Sequence, residues 1–181
     1  MRGRRQREGL QVQEVPTEGG EVTAAYRVEV PFAGEWLTSN KAGRYRHGST
    51  PWRHTAHMAC RAAKLPTGLT PVILHLVAYY VGRAPVRDNA NLYPTIKAIV
   101  DGLTPLKVSS RHGQRHTRGG YGLIPDDSDK HIRDLSWRLE RSTTERPYVV
   151  LTVLHVPPTV DNPVDAAINV CVVDETCGGA S

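Results

Sequence analysis

No run of apolar residues in this chain is long enough to span a bilayer; the longest, Pro71–Gly82, contains His75 and two tyrosines. The N-terminal MRGRRQREG carries charge with no apolar stretch behind it, so it is not expected to be a secretory signal. Cysteine is scarce: Cys60, Cys171 and Cys177 show no CxxC spacing, so neither a disulfide framework nor a zinc ribbon is expected, and the thiols read as reduced. Internal repeats are absent. Acidic residues are missing altogether from positions 105–120, where Lys107, Arg111, Arg115 and Arg118 fall.

What is present is enough for one domain. The chain has 181 residues, is 39% hydrophobic and carries a formal net charge of +5. Arg2, Arg4, Arg5 and Arg7 crowd the N-terminus. Together with the one-signed stretch 105–120, this bias suits a polyanionic partner, and Arg87, Lys107, Arg111, Arg115 and Arg118 are the candidate DNA contacts.

Residues 1–20 are polar and glycine-rich and read as a mobile basic arm. Ala25–Phe32 alternates, with Tyr26, Val28 and Val30 opposite Arg27 and Glu29, and predicts a strand. Thr50-Pro51 predicts a helix start, followed by Trp52, Ala56, Ala59 and Ala63 at helical spacing. Thr70–Val81 is nearly continuously apolar and predicts a central strand buried on both faces. A second helix is expected from about Asn91, with Pro94 in its first turn and Ile96, Ile99, Val100 and Leu103 as its core stripe. Residues 105–120 read as a long loop. Leu135, Trp137 and Leu139 alternate with polar residues, and with Tyr148–Val156 they predict an antiparallel hairpin across Arg141–Arg146. The order β-α-β-α-β-β implies an α+β fold, a mixed sheet with helices packed against it in two layers. The domain is expected over 21–158, with a loosely held tail over 159–181.

The chemistry concentrates in RDNANLYPTIKAIVDGL, residues 87–103, and GLIPDDSDKHI, residues 122–132. Carboxylates gathered in a basic chain repel one another and repel phosphate; a divalent metal facing a phosphodiester is the commonest reason to gather them. Asp88 and Asp127 are the candidate metal-holding pair, with Asp126 and Asp101 as further ligands. Lys97, four residues before Asp101 on the same helix flank, is placed to stabilise charge developing on a phosphate. Asn91 and His131 are candidate site-lining residues. Taken singly, Asp88 reads as a turn cap, Lys97–Asp101 as a helix salt bridge and Asp126-Asp127 as a polar turn; their order and spacing argue for a site.

On these residues the chain resembles the RusA family of Holliday-junction resolvases, in particular its phage-type and actinobacterial-looking members. The resemblance covers roughly residues 30–156. It begins with WLTSN, Trp36–Asn40, which looks like the family's early asparagine-containing segment. The family's core is similar to Asp-x-Asp-Asn, a lysine, Asp-Gly-Leu or Asp-Ala-Leu, and a hydrophobic segment closing in Asp-Asp. Here Asp88, Asn91, Lys97, Asp101 and Asp127 fall on that pattern. The resemblance implies a RusA-like, cytoplasmic, bacterial or phage-encoded hydrolase of DNA recombination and repair. It further implies a homodimer that binds four-way junctions and makes paired symmetric nicks with Mg²⁺, or Mn²⁺ in its place.

Two departures stand out. Ala90 occupies the place of the family's second aspartate. Either Asp126, Asp101 or the Asn91 carbonyl oxygen supplies the missing ligand, or the chain is a catalytically weakened junction-binding protein on the same fold. The second departure is the basic insertion 105–120, expected to contact DNA.

Other candidates are weaker. His54, His57 and Cys60 mimic a zinc motif, but over six residues a helix turns about 600°, which points Cys60 away from His54. His112 and His116 read as phosphate-facing or solvated, and Trp36 and Trp52 as core or interface residues.

Overall fold

The computed structural model describes residues 11–16, 22–41, 45–111 and 114–156, with side chains described over 24–40, 48–108 and 119–156. Among the described residues, seven strands and two α-helices follow in the order β1 (Gln11–Pro16), β2 (Val22–Pro31), α1 (Tyr45–Ala62), β3 (Val72–Tyr80), α2 (Tyr93–Leu103), β4 (Lys107–Arg111), β5 (Gln114–Arg118), β6 (Ile132–Arg141) and β7 (Tyr148–His155). A 3₁₀ turn, Asn89–Leu92, leads into α2. The main sheet has the order β1-β2-β7-β3-β6, and β4 pairs only with β5. Pairing is antiparallel except between β3 and β6, which run parallel. The expected α+β class, a mixed sheet with helices packed against it, is what the chain adopts.

One sheet face forms the core. Val28 and Val30 of β2, Val72, Leu74, Leu76 and Ala78 of β3, and Val149, Leu151 and Val153 of β7 alternate onto the helices. From α2 they meet Ile96, Ile99, Val100 and Leu103, the stripe expected from its spacing, and from α1 Trp52, Ala56 and Cys60. Trp52 is wholly buried, stacks on Trp36 at 5.3 Å between ring centroids, meets Phe32 edge-on at 5.8 Å, and donates its indole N–H to the Glu35 carbonyl at 2.7 Å. Both tryptophans thus belong to the core packing of this chain.

The strand expected to be buried on both faces is central but covered by helices on one. Its other face carries Ile73, His75 and Tyr79 half-buried, sheltered by neighbours on the same side of the sheet. His75 Nδ1 lies 2.9 Å from Ser136 Oγ, and Tyr79 stacks on Tyr148 at 4.7 Å.

Four elements differ from expectation. β6 and β7 do not form a hairpin: β7 lies between β2 and β3, and β6 pairs with the far edge of β3. β7, with no exposed residue, suits an interior position, whereas β6 exposes Arg133, Asp134, Arg138 and Arg141 and suits an edge. The chain crosses the end of β3 through residues 142–147. Ser142 N donates to the Tyr80 carbonyl at 2.8 Å, and Ser142, Thr144 and Arg146 close a small hydrogen-bonded turn.

Part of the expected mobile arm is strand β1, in register with β2 from Gln11↔Arg27 to Pro16↔Val22. Its backbone satisfies the outer edge of β2, a demand that composition does not reveal. The arm's remaining residues and the tail 159–181, including Cys171 and Cys177, lie outside the described residues. The expected loop 105–120 contains the β4–β5 hairpin, whose polar sequence has no apolar face for periodicity to detect. Helix α1 begins at Tyr45, with Pro51 inside it. The turn before the proline is held by tertiary contact: a Cβ on Gly48 would lie 2.5 Å from Leu37 Cδ2, and Ser49 is buried. That packing offsets the hydrogen bond the proline cannot donate.

No helix among the described residues is long and apolar enough to cross a membrane. Because Trp52 joins the aromatic cluster to the helix layer, Trp52→Ala is expected to destabilise the fold by about 3–5 kcal/mol. Equilibrium urea denaturation measures this, and a loss below about 1 kcal/mol would show that the cluster repacks without it.

Candidate functional site

The site is built on α2 and what is packed around it. After β3 ends at Tyr80, the chain returns to Asp88, whose Oδ1 accepts from Ala90 N at 3.0 Å and caps the 3₁₀ turn. Asn91 N closes that turn on the Asp88 carbonyl at 3.0 Å. The turn is pinned to β6: Trp137 donates its indole N–H to the Asn89 carbonyl at 2.8 Å, and its ring packs on Tyr93 at 5.6 Å. Helix α2 follows, with Pro94 in its first turn and its apolar stripe buried. This leaves Lys97 and Asp101 on the flank facing away from the sheet.

Lys97 is the hub. Its Nζ donates to Asp101 Oδ1 at 2.8 Å and, on the other side, to Asp127 Oδ2. Asp127 belongs to the segment between β5 and β6. Leu103, at the end of α2, holds that segment in place by accepting from Gly122 N at 3.0 Å and Ile124 N at 3.4 Å through its carbonyl. Leu123 and Ile124 are fully buried, so the apolar GLIP run sets the position of the aspartate pair that follows. Asp126 Oδ1 accepts from Asp127 N at 3.0 Å and lies 3.5 Å from Lys107 Nζ.

Arg53 of α1, which the sequence did not single out, completes the cluster. Its Nε lies 3.4 Å from Asp101 Oδ2, and one terminal nitrogen donates to Ser49 Oγ at 2.8 Å. The Nε itself is buried and makes no hydrogen bond: the ion-pair distance is met, but the N–H is not aimed at the carboxylate. Arg53 reaches Asp101 because the helices cross unusually closely. A Cβ on Gly102 would lie 2.6 Å from the Arg53 carbonyl and 3.1 Å from Ala56 Cβ. The glycine after Asp101 was the available sequence signal, but nothing in spacing alone names its partner on α1.

A cleft of about 340 Å³ opens beside these groups, lined by Leu37, Ser49, Arg53, Tyr93, Lys97 and Asp101 among others. The segment Trp36–Asn40 forms part of its wall: buried Thr95 of α2 accepts from Leu37 N at 2.8 Å and donates back to the Leu37 carbonyl at 2.9 Å. Apolar and cationic walls thus meet at the Lys97–Asp101 edge.

Of the sequence-derived candidates, Lys97, Asp101 and Asp127 come together, with Asp126 adjacent and bridged to Lys107. Asp88 and Asn91 stand at the entry to α2 in their own turn, and Arg87 is exposed beside them. His131 is engaged with Thr70 instead, Nδ1 to Oγ1 at 2.9 Å, while its backbone carbonyl accepts from Val72 N. Arg111 lies on β4 and Arg115, His116 and Arg118 on β5; His112 lies outside the described residues. His54 is exposed while Cys60 is buried, and burial pushes the Cys60 thiol up to about 12. Cys60 is therefore an inert core thiol and not a zinc ligand.

The carboxylates are not gathered into a cage. Among the described residues no group of three or more His, Cys, Asp or Glu is disposed to hold a metal ion. Mg²⁺ does not require one, since it is commonly held by one or two carboxylates and completed by water and phosphate oxygens. Asp126 and Asp127, open to solvent and adjacent, fit that chemistry. Their lysine partners are themselves solvent-accessible, and such pairs contribute only about 0.2–1 kcal/mol, so a divalent cation meets little resistance in displacing them.

The crossing at Gly102 gives a test whose sign is informative. Helix propensity alone favours Gly102→Ala by up to about 1 kcal/mol. The Arg53 backbone in its way predicts a net loss of about 1–3 kcal/mol, measured by urea denaturation. Compared with known proteins, the chain matches no protein-family model and none of the curated proteins.

Proposed function

We propose that this chain is a Mg²⁺-dependent, structure-selective DNA endonuclease that resolves four-way junctions by paired nicks, acting as a homodimer in DNA recombination and repair. The observation that carries the reading is Lys97 held between Asp101 and Asp127. In the sequence these residues follow the order of the RusA-like motif. A basic chain keeps acidic groups at an exposed edge beside a cleft, and phosphodiester hydrolysis is the chemistry that needs both signs there.

Asp127 and Asp126 would hold the metal, while Asp88 caps its own 3₁₀ turn. When bound, Mg²⁺ supplies charge neutralisation on the phosphate and acidifies a water. The chain's own groups do the rest. Asp101, anchored by Arg53, keeps the Lys97 ammonium at the site edge, where it stabilises negative charge on the phosphoryl oxygens. Contacts to phosphates supply affinity, and junction shape supplies selectivity.

A second reading has its own support. Ala90 stands where the resembling family has a carboxylate. That favours a junction-binding protein with weakened turnover. Ala90 is exposed and engaged through its backbone alone, its N–H donating to Asp88 and its carbonyl accepting from Tyr93 N, so a carboxylate there disturbs no packing.

Asp127→Asn is expected to abolish nicking of a labelled junction in Mg²⁺ while metal-free binding stays intact or tightens; undiminished nicking removes Asp127 from the site. Lys97→Ala should lower the nicking rate about 10²-fold or more. Its cost in stability should stay within about 1 kcal/mol, since both its pairs are solvent-accessible. Equal rates for this variant and parent would contradict the role given to Lys97. Ala90→Asp separates the two readings: a gain of nicking by a feeble parent supports weakened turnover, whereas no gain or a loss means the present carboxylates suffice.

A further inference from the structure

We infer that the β4–β5 hairpin is a duplex-DNA-binding ribbon that engages phosphates through one of its two faces, the face marked by Lys107. The ligand class rests on the nucleic-acid part of the proposed function; the nuclease chemistry is not needed for it.

The register divides the ribbon. Cross-strand partners in an antiparallel pair share a face, and successive residues alternate between faces. The pairs Lys107↔Arg118, Ser109↔His116 and Arg111↔Gln114 therefore belong to one face, and Val108↔Thr117 and Ser110↔Arg115 to the other. Three of the four Lys/Arg positions in 105–120 fall on the first face, with a histidine position between them. Exposed Val108 marks the second face. Composition alone cannot make this division, because it depends on which residues are opposite.

The ribbon is also firmly rooted. Gly120 N donates to the Thr104 carbonyl at 2.7 Å, Tyr121 N to the Gly102 carbonyl at 3.0 Å, and Tyr121 OH to the Leu65 carbonyl. Thr104 Oγ1 in turn donates to the Asp101 carbonyl at 2.9 Å. The hairpin thus springs from the end of the helix that carries Lys97 and Asp101. Lys107 Nζ, 3.5 Å from Asp126 Oδ1, turns the basic face toward the acidic loop.

Dimensions and charge select the occupant. Lys107 and Arg111 are separated by about 13–14 Å at the usual strand rise, and the two strands by about 4.8 Å. A two-stranded ribbon of this size is admitted by the roughly 12 Å major groove of B-DNA. No acid interrupts residues 105–120, so the surface complements an uninterrupted row of phosphates. DNA held on this face is led toward Asp126 and Asp127.

The test measures binding of the full chain to a labelled linear duplex and a four-way junction, in chelator, across several salt concentrations. The face variant Lys107→Gln/Arg111→Gln/Arg118→Gln should make the slope of log K against log salt shallower by about 2–3 units, at roughly 0.9 per phosphate contact. Arg115→Gln should change it by less than one unit. Arg83→Gln/Arg133→Gln/Arg141→Gln removes the same charge from exposed positions elsewhere and should leave most of the slope. Circular dichroism and urea denaturation check that each variant folds. An unchanged slope in the face variant overturns the inference, as does an equal loss in the charge-matched control. So does a parent that binds polyglutamate through these residues and does not bind DNA. Absence of nicking together with a face-dependent slope sinks the nuclease reading alone; nicking with an unchanged slope sinks the ribbon alone.

Discussion

The cationic side of the candidate site depends on how closely α1 and α2 approach at Gly102. With no Cβ there, the Arg53 backbone sits against the helix, and its guanidinium arrives beside Asp101. Asp101 then has a cation from each helix, and Lys97 is left able to reach outward to Asp127. A wider crossing would separate Arg53 from Asp101 and open the floor of the cleft. Van der Waals contact between two helices therefore sets the electrostatics of an edge some distance from the core.

The charged network is cheap to rearrange by design of its exposure. Lys97, Asp101, Asp127, Lys107 and Asp126 all keep contact with solvent, so each pair is worth little to stability. Stability comes instead from the apolar stripe of α2, the Trp52 cluster and the inward faces of β2, β3 and β7. This separation lets cations and carboxylates exchange partners when a phosphate or a divalent metal arrives, without loosening the scaffold. The hairpin β4–β5 shares in this arrangement, since Lys107 links its basic face to the acidic loop while its root is fixed to the end of α2.

Local pattern was a good guide where one face of an element had to be apolar. The α2 stripe at Ile96, Ile99, Val100 and Leu103, the alternation of β2, and the apolar run of β3 were all legible, because burial imposes the period of the element on the sequence. The pattern was silent or misleading where backbone pairing or tertiary contact decided. The polar hairpin 107–118 carries no apolar face, and the pairing of β1 with β2 is made through the main chain. At Thr50-Pro51 a sound local start signal was overridden by the packing of Gly48 and Ser49 against the preceding segment.

What the sequence by itself determined is the α+β class, the core stripe and the lysine and aspartates of the candidate site, including the four-residue spacing that joins Lys97 to Asp101. What only the tertiary structure decided is which distant groups meet. Asp127 comes to Lys97 because the buried GLIP run is tied to the end of α2, and Arg53 comes to Asp101 because Gly102 leaves room. β7 rather than β6 sits beside β2, since the less polar strand takes the interior place. These are contacts between residues far apart along the chain. Spacing constrains neighbours within a few turns of one helix or strand, whereas long-range partners are selected by packing and hydrogen-bond satisfaction over the whole fold.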